Sequence, residues 1–93
     1  MRRFLIERGL ERKLIKLERK NKALYEQVKN KINEVLNILD MGHYKNLRHD
    51  LKEYKRVHIG SFVLIFKYNE RNDFIYFTDF DHHDKIYKKR YGS

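Results

Sequence analysis

Residues 54–68 read YKRVHIGSFVLIFKY, two stretches of alternating β-branched, aromatic and basic residues separated by Gly60 and Ser61. Gly-X between two such stretches predicts a β-hairpin closed by a two-residue type II′ turn, because glycine takes the positive φ that the first turn position requires. That turn sets the register, with Ile59 opposite Phe62, His58 opposite Val63 and Val57 opposite Leu64. Side chains alternate across a strand, so Val57, Ile59, Phe62, Leu64 and Phe66 share one face while Arg56, His58, Val63 and Ile65 share the other. The first face suits a layer of helices. The second carries His58 and is expected to stay open as a binding surface.

Outward from the hairpin, a turn around Glu70 to Asp73 leads to a further strand, FIYFTDF (74–80), which ends in the cluster DHHDKIY (81–87). Upstream, RFLI (3–6) predicts a short first strand. Leu10, Leu14 and Leu17 recur at helical spacing and predict a helix over about Glu7 to Lys20 with a charged outer face. Asn21 breaks the pattern. A second helix is expected over about Lys22 to Leu39, with Leu24, Val28, Ile32, Val35 and Leu39 as its apolar stripe and Gly42 as its C-terminal cap. So short a turn makes the two helices an antiparallel hairpin, and each apolar stripe must be covered by something else. The expected fold is therefore α+β: a short N-terminal strand, a helical hairpin, then a three-stranded antiparallel meander forming a small sheet with the helices on one face.

All aromatic residues except Phe4 and Tyr25 lie in 44–93, whereas the first 43 residues are dominated by Leu, Ile, Lys, Arg and Glu. With no proline and no low-complexity run to act as a spacer, this is a change of secondary structure within a single domain spanning 1–93. A chain of 93 residues buries only about 60–65% of its unfolded surface, so the core must be economical. There is no cysteine, which excludes disulfides and thiolate metal sites and fits a reducing cytoplasm. No apolar run approaches a membrane span, and MRRFLIERGLERK lacks a signal-peptide core. With 22 Lys plus Arg against 13 Asp plus Glu and a formal charge of +9, the expected partner is a dense anion such as RNA. A basic surface serving solubility, or one neutralised by an acidic protein, fits the same composition.

Residue types narrow the chemistry. Serine occurs only at 61 and 93, which leaves a turn residue as the sole plausible nucleophile of a Ser/His/Asp hydrolase. The four glycines are isolated and form no phosphate loop. Asp79, Asp81, His82, His83 and Asp84 invite a metal reading, yet neighbours on a strand point to opposite sides and the spacing matches no strong zinc pattern. Neither a metal nor another cofactor is expected. Cleavage of RNA through its own 2′-hydroxyl is better matched: a base must take the hydroxyl proton, an acid must protonate the leaving 5′-oxygen, and cations must stabilise the added phosphate charge. Histidine titrates near neutral pH, and aromatic rings stack on unpaired bases. The five histidines, 43, 49, 58, 82 and 83, all lie in the stretch that builds and flanks the sheet. Singly, each also reads as a surface or loop residue, and one of His82 and His83 is expected to face away from the site.

The order of elements, with LRHDLKEYKRVHIGSFVLIFKY (47–68) and DFDHHDKIY (79–87), resembles the RelE/ParE superfamily of toxins from type II toxin-antitoxin pairs, over nearly the whole chain. The HIGSFVLIF string is most similar to the YafQ-like branch. The resemblance implies a cytoplasmic, metal-independent endoribonuclease that cuts messenger RNA on the ribosome, neutralised by a cognate antitoxin, as a monomer or a toxin-antitoxin hetero-oligomer. It makes His58 the general base or phosphate contact, His83 the general acid and Tyr87 the aromatic that orients or stacks on substrate. Arg56 matches a basic RNA-binding position and Lys45 lies near another histidine of the branch; Arg48, Lys52, Lys55 and His82 complete the candidate RNA- and phosphate-binding set. Departures accompany these matches. Val63 stands where many RelE-like members carry arginine, Phe62 where the YafQ-like branch has tryptophan, and Ser61 is the nearest match to its turn aspartate. Loss of one cation of this kind costs a transition state about 2–4 kcal/mol. Two other readings stay open: a ParE-like gyrase inhibitor without nuclease activity, and a non-catalytic basic RNA-binding module.

Overall fold

A computed structural model of the chain describes residues 1–47 and 53–88, with Tyr87 followed by its backbone alone. The elements run β1 (Arg3–Ile6), α1 (Arg8–Lys20), α2 (Lys22–Asn37), a 3₁₀ turn (Met41–His43), β2 (Tyr54–Ile59), β3 (Phe62–Asn69), β4 (Phe74–His82) and α3 (His83–Lys88). The four strands form one sheet in the order β1-β4-β3-β2. β2, β3 and β4 make the expected antiparallel meander, whereas β1 lies parallel to β4, so the sheet is mixed. A parallel pair needs a long crossover, and the helices and hairpin between β1 and β4 provide it.

Asn21 closes one helix and opens the next. Its backbone N–H donates to Leu17 O at 2.8 Å, and its side chain accepts from Leu24 N–H at 3.1 Å. Both cap functions in one residue leave no room for a loop, and the helices fold back on each other. α2 stops at Asn37, two residues short of the expected end, because Ile38 adopts an extended backbone. Leu39, assigned to the apolar stripe from the sequence, is 97% exposed, and Leu36 takes its place in the core. Gly42 is not the cap either: it belongs to the 3₁₀ turn, and its N–H donates to Asp40 Oδ1.

Arg2 caps α2 in its stead. Its backbone N–H donates to Leu36 O at 3.0 Å, its guanidinium donates to the carbonyls of Ile38 and Leu39, and its Nε meets Asp73 Oδ1 at 2.8 Å. One side chain thereby ties the start of β1, the end of α2 and the β3–β4 turn together. Arg2→Ala strands these carbonyls and is expected to lower the unfolding free energy by about 1–2 kcal/mol, read as a lower denaturant midpoint at unchanged slope.

The helix-facing side of the sheet carries the main core, where Leu10, Val28, Val35 and Leu36 meet Leu64, Phe66, Ile75 and Phe77. Phe77 and Phe80 both point into it despite a spacing of three. A β-bulge makes this possible: Ile65 pairs with Asp79 and Phe66 with Phe77, leaving Thr78 as the extra residue, its hydroxyl donating to Ile65 O at 3.2 Å. The opposite face is not open along the hairpin as expected. Val63 and Ile65 are fully buried there with Leu47 and Ile86, under α3, a helix absent from the sequence reading. Among the described residues no helix is long and apolar enough to cross a membrane.

Candidate active site

Gly60 takes φ 60, and the hairpin adopts the expected register, with His58 opposite Val63 and Ile59 opposite Phe62. Beyond Phe62 the pairing continues to His82 on β4, after which the chain turns at once into α3. The first amide of α3 is fastened to the hairpin turn, His83 N–H donating to Ser61 O at 2.8 Å. That bond, with Ile86 buried against Val63 and Ile65, brings His83 over the end of β2. The imidazoles of His58 and His83 stack with centroids 5.8 Å apart and planes 30° from parallel.

His82 turns away from this pair. Its ring lies edge-on to Phe62 at 5.6 Å and its Nδ1 accepts from Asp84 N–H. Asp79 and Asp81 both engage Lys13 Nζ, at 2.7 and 3.2 Å, beyond the end of β1. Among the described residues no three His, Asp or Glu side chains come together in a way that would hold a metal ion.

A cleft of about 310 Å³ opens beside His58, bounded by Arg56 on β2, His43 and Lys45 on the connection, and Lys31 and Glu34 on α2. Tyr44 closes its base, donating to Glu34 Oε2 at 2.6 Å. This hydrogen bond holds the Glu34 carboxyl below its usual range, while burial, with the carboxylate beside it, pushes the Tyr44 phenol well above its own. Lys45 and Arg56 thus line the same cleft as His58. Lys55 does not: its Nζ donates to Tyr44 O at 3.1 Å and Asn46 Oδ1 at 2.7 Å, and burial lowers the ammonium pKa. It pins residues 44–46 against β2, alongside the backbone bonds Arg56 N–H to Lys45 O and Leu47 N–H to Tyr54 O. Arg48, Lys52 and the side chain of Tyr87 lie outside the described residues. The sequence reading missed the α2 wall, although Gln27, Lys31 and Glu34 recur at helical spacing on the polar side of that helix.

Although His58 is exposed as a residue, partial burial lowers its pKa below the ordinary histidine value, and the charges of Arg56 and His83 push it the same way. At neutral pH the imidazole is neutral and able to accept a proton. The unfolded chain, with a value of about 6.5, binds that proton first as the pH falls. His58 therefore costs nothing above that pH; below it stability declines, levelling off once the pH passes the native value. An NMR titration should place the His58 midpoint below 6.5, and Arg56→Ala should raise it by removing a neighbouring cation.

A helical hairpin against one face of a small mixed sheet, with a short C-terminal helix crossing the other, defines a RelE-type toxin fold. The chain is 46% identical over 83 residues to a Methanocaldococcus jannaschii protein assigned by name as toxin RelE4, a match covering 88% of this chain and 86% of the relative. The chain belongs to the RelE family of toxins of toxin-antitoxin systems. Solved structures agree on the fold. The toxin-antitoxin complex RelBE2 of Mycobacterium tuberculosis matches with a TM-score of 0.72 at 17% identity, over 87% of this chain and 96% of that one. YafQ of Escherichia coli matches with a TM-score of 0.71 at 17% identity, over 94% and 99%. No protein-family model matches the sequence.

Proposed function

We propose that this toxin acts in the cytoplasm as a ribosome-dependent, metal-independent endoribonuclease that cuts messenger RNA and so inhibits translation. The observation that carries the reading is the stacked pair of His58 and His83 at the mouth of a basic cleft. In the proposed reaction neutral His58 takes the proton of a ribose 2′-hydroxyl, and the 2′-oxygen attacks the adjacent phosphorus. The bond from phosphorus to the 5′-oxygen breaks as His83 gives that oxygen a proton, leaving a 2′,3′-cyclic phosphate and a 5′-hydroxyl. Arg56 and Lys45 offset the charge that builds on the phosphoryl oxygens. Tyr87 is assigned to orient or stack on the substrate. Both reacting oxygens sit on one phosphorus, which is why two imidazoles close to each other can serve them.

A cognate antitoxin is the proposed protein partner, its acidic residues covering the basic surface. The RelBE2 neighbour, a toxin-antitoxin complex, supports that expectation. The test is to add the purified toxin to a translation extract and map the ends of the message. New 5′-hydroxyl ends that appear only on translated messages support the reading; intact messages, together with gyrase-dependent DNA damage, would favour a ParE-like action instead.

Ribosome binding should weaken with salt, because Lys31, Lys45 and Arg56 line the cleft and each phosphate contact releases counterions. The slope of log affinity against log salt is expected to be about −2 or steeper, and Lys45→Ala should reduce it by about 1. A flat dependence would count against an electrostatic footprint on RNA.

A further inference from the structure

A second cleft, of about 440 Å³, lies on the other side of His58, lined by Gln27, Asn30, Lys31 and Glu34 of α2 and by the Ile59–Gly60 end of β2. The two clefts share Lys31, Glu34 and His58, so they form one groove between α2 and the edge of β2. Their chemistry differs. The first collects Lys31, Lys45, Arg56 and His43 beside the Glu34 carboxylate, an excess of cations that suits phosphates; the second offers two carboxamides beside the Lys31–Glu34 ion pair, whose Nζ and Oε1 lie 3.2 Å apart.

Gln27, Asn30, Lys31 and Glu34 stand three, four and seven residues apart, so one face of α2 presents them together. Gln27 and Asn30 are exposed, and among the described residues neither amide is engaged by another side chain or by backbone. The amides are therefore available to a ligand rather than committed to the fold. A carboxamide carries a donor and an acceptor side by side, the pattern that matches the edge of a nucleobase splayed out of a single strand.

The geometry points to a base-reading subsite, in which Gln27 and Asn30 hydrogen-bond the edge of the nucleobase next to the phosphate held at His58. The inference rests on the nuclease reading for its substrate. RNA phosphates occupy the cationic half of the groove, the ribose to be attacked lies at His58, and the neighbouring base enters the amide half. Cleavage would then depend on the base at that one position.

Two measurements on the intact toxin test this. Cleavage is mapped in a translation extract on messages that vary one codon nucleotide at a time. Binding is measured to ribosomes programmed with the same codons carrying 2′-deoxyribose, which cannot be cut. The wild type should discriminate between bases on the order of tenfold at one position, as expected for a single bidentate contact. Gln27→Ala with Asn30→Ala, both exposed helix positions where alanine favours the helix, should bring that ratio to within about twofold. Base-dependent binding that the double variant loses, without cutting by the wild type, would keep the subsite and sink the nuclease. Cutting with the same base profile in wild type and variant, or with no base dependence in either, would overturn the subsite and leave the nuclease standing. Variants that weaken antitoxin binding while keeping the base profile would make the cleft a protein contact and overturn the proposal as well.

Discussion

His58→Ala should reduce message cleavage by about 10²–10⁴-fold, the range typical of a positioned general base, while leaving the protein folded. The side chain is exposed at the end of β2, so its removal opens no cavity in either apolar cluster. His83→Ala should have an effect of similar size, because in the proposed reaction acid and base serve the two ends of one displacement. The double variant should be little worse than either single one, since groups that act as a unit lose their effect together. His82→Ala is the internal control: its ring lies edge-on to Phe62 and apart from the pair, so cutting should fall by no more than a few-fold. The readout is the yield of 5′-hydroxyl message ends in a translation extract at a fixed concentration of folded toxin. Undiminished cutting by both His58→Ala and His83→Ala would remove the pair from the chemistry. Cutting lost in His82→Ala but not in His83→Ala would reverse the assignment of the two neighbours.

The hairpin could be read from the sequence because glycine at position 60 leaves few alternatives. Its positive φ selects the turn, the turn selects the register, and the register determines which residues face the helices. The two long helices were legible for a related reason, since Leu10, Leu14 and Leu17 in the first, and Leu24, Val28, Ile32 and Val35 in the second, repeat at a period that a helix uses. Three features were not. The parallel pairing of β1 with β4 depends on which edge remains free once the meander has formed, and four residues of RFLI carry no record of that. The bulge at Thr78 breaks the period of two, so the inward direction of both Phe77 and Phe80 follows from a local slip rather than from alternation. The third is α3, six residues among whose described side chains only Ile86 is buried, too short to show a helical period.

The same omission decides what was legible of the site. His58 and Arg56 could be placed on one strand face, but the approach of His83 depends on where β4 ends and α3 begins. The sequence reading left the surface around Val63 open, so valine at that position read as the loss of a cation. In the fold Val63 is fully buried beneath α3, where a guanidinium would lack water and a counterion. Valine at 63 and isoleucine at 86 are thus parts of one arrangement. It places on the sheet, instead of a charge, a helix that carries a histidine, and the cations beside His58 are Arg56 and Lys45, which line the cleft. Lys55 lies apart from His58 for a simple geometric reason: alternation places it with Val57 and Ile59, opposite to Arg56 and His58.

Ile86→Ala is accordingly expected to damage stability and site together. The side chain is fully buried against Val63, Ile65 and Leu47, so truncation removes apolar burial and leaves a cavity, at a cost of about 2–4 kcal/mol. For a domain whose whole stability is about 5–15 kcal/mol, that is a large share. The consequence for activity is more specific. α3 is short, and the contacts that fasten it to the sheet include Ile86, whose side chain is fully buried, and the hydrogen bond from His83 N–H to Ser61 O. Weakening the first should let the helix lift before the rest of the domain unfolds, carrying His83 away from His58. Amide exchange at His83 should therefore accelerate more than exchange in β3, and cleavage per folded molecule should fall by about tenfold or more, as positioning losses of roughly 1 Å already cost that much. Ile86→Val keeps most of the contact and should cost only about 0.5–1.5 kcal/mol with most activity retained. If Ile86→Ala loses the expected stability but keeps full activity per folded molecule, then the position of α3 does not matter to the proposed chemistry of His83, and the coupling between the second apolar cluster and the site is refuted.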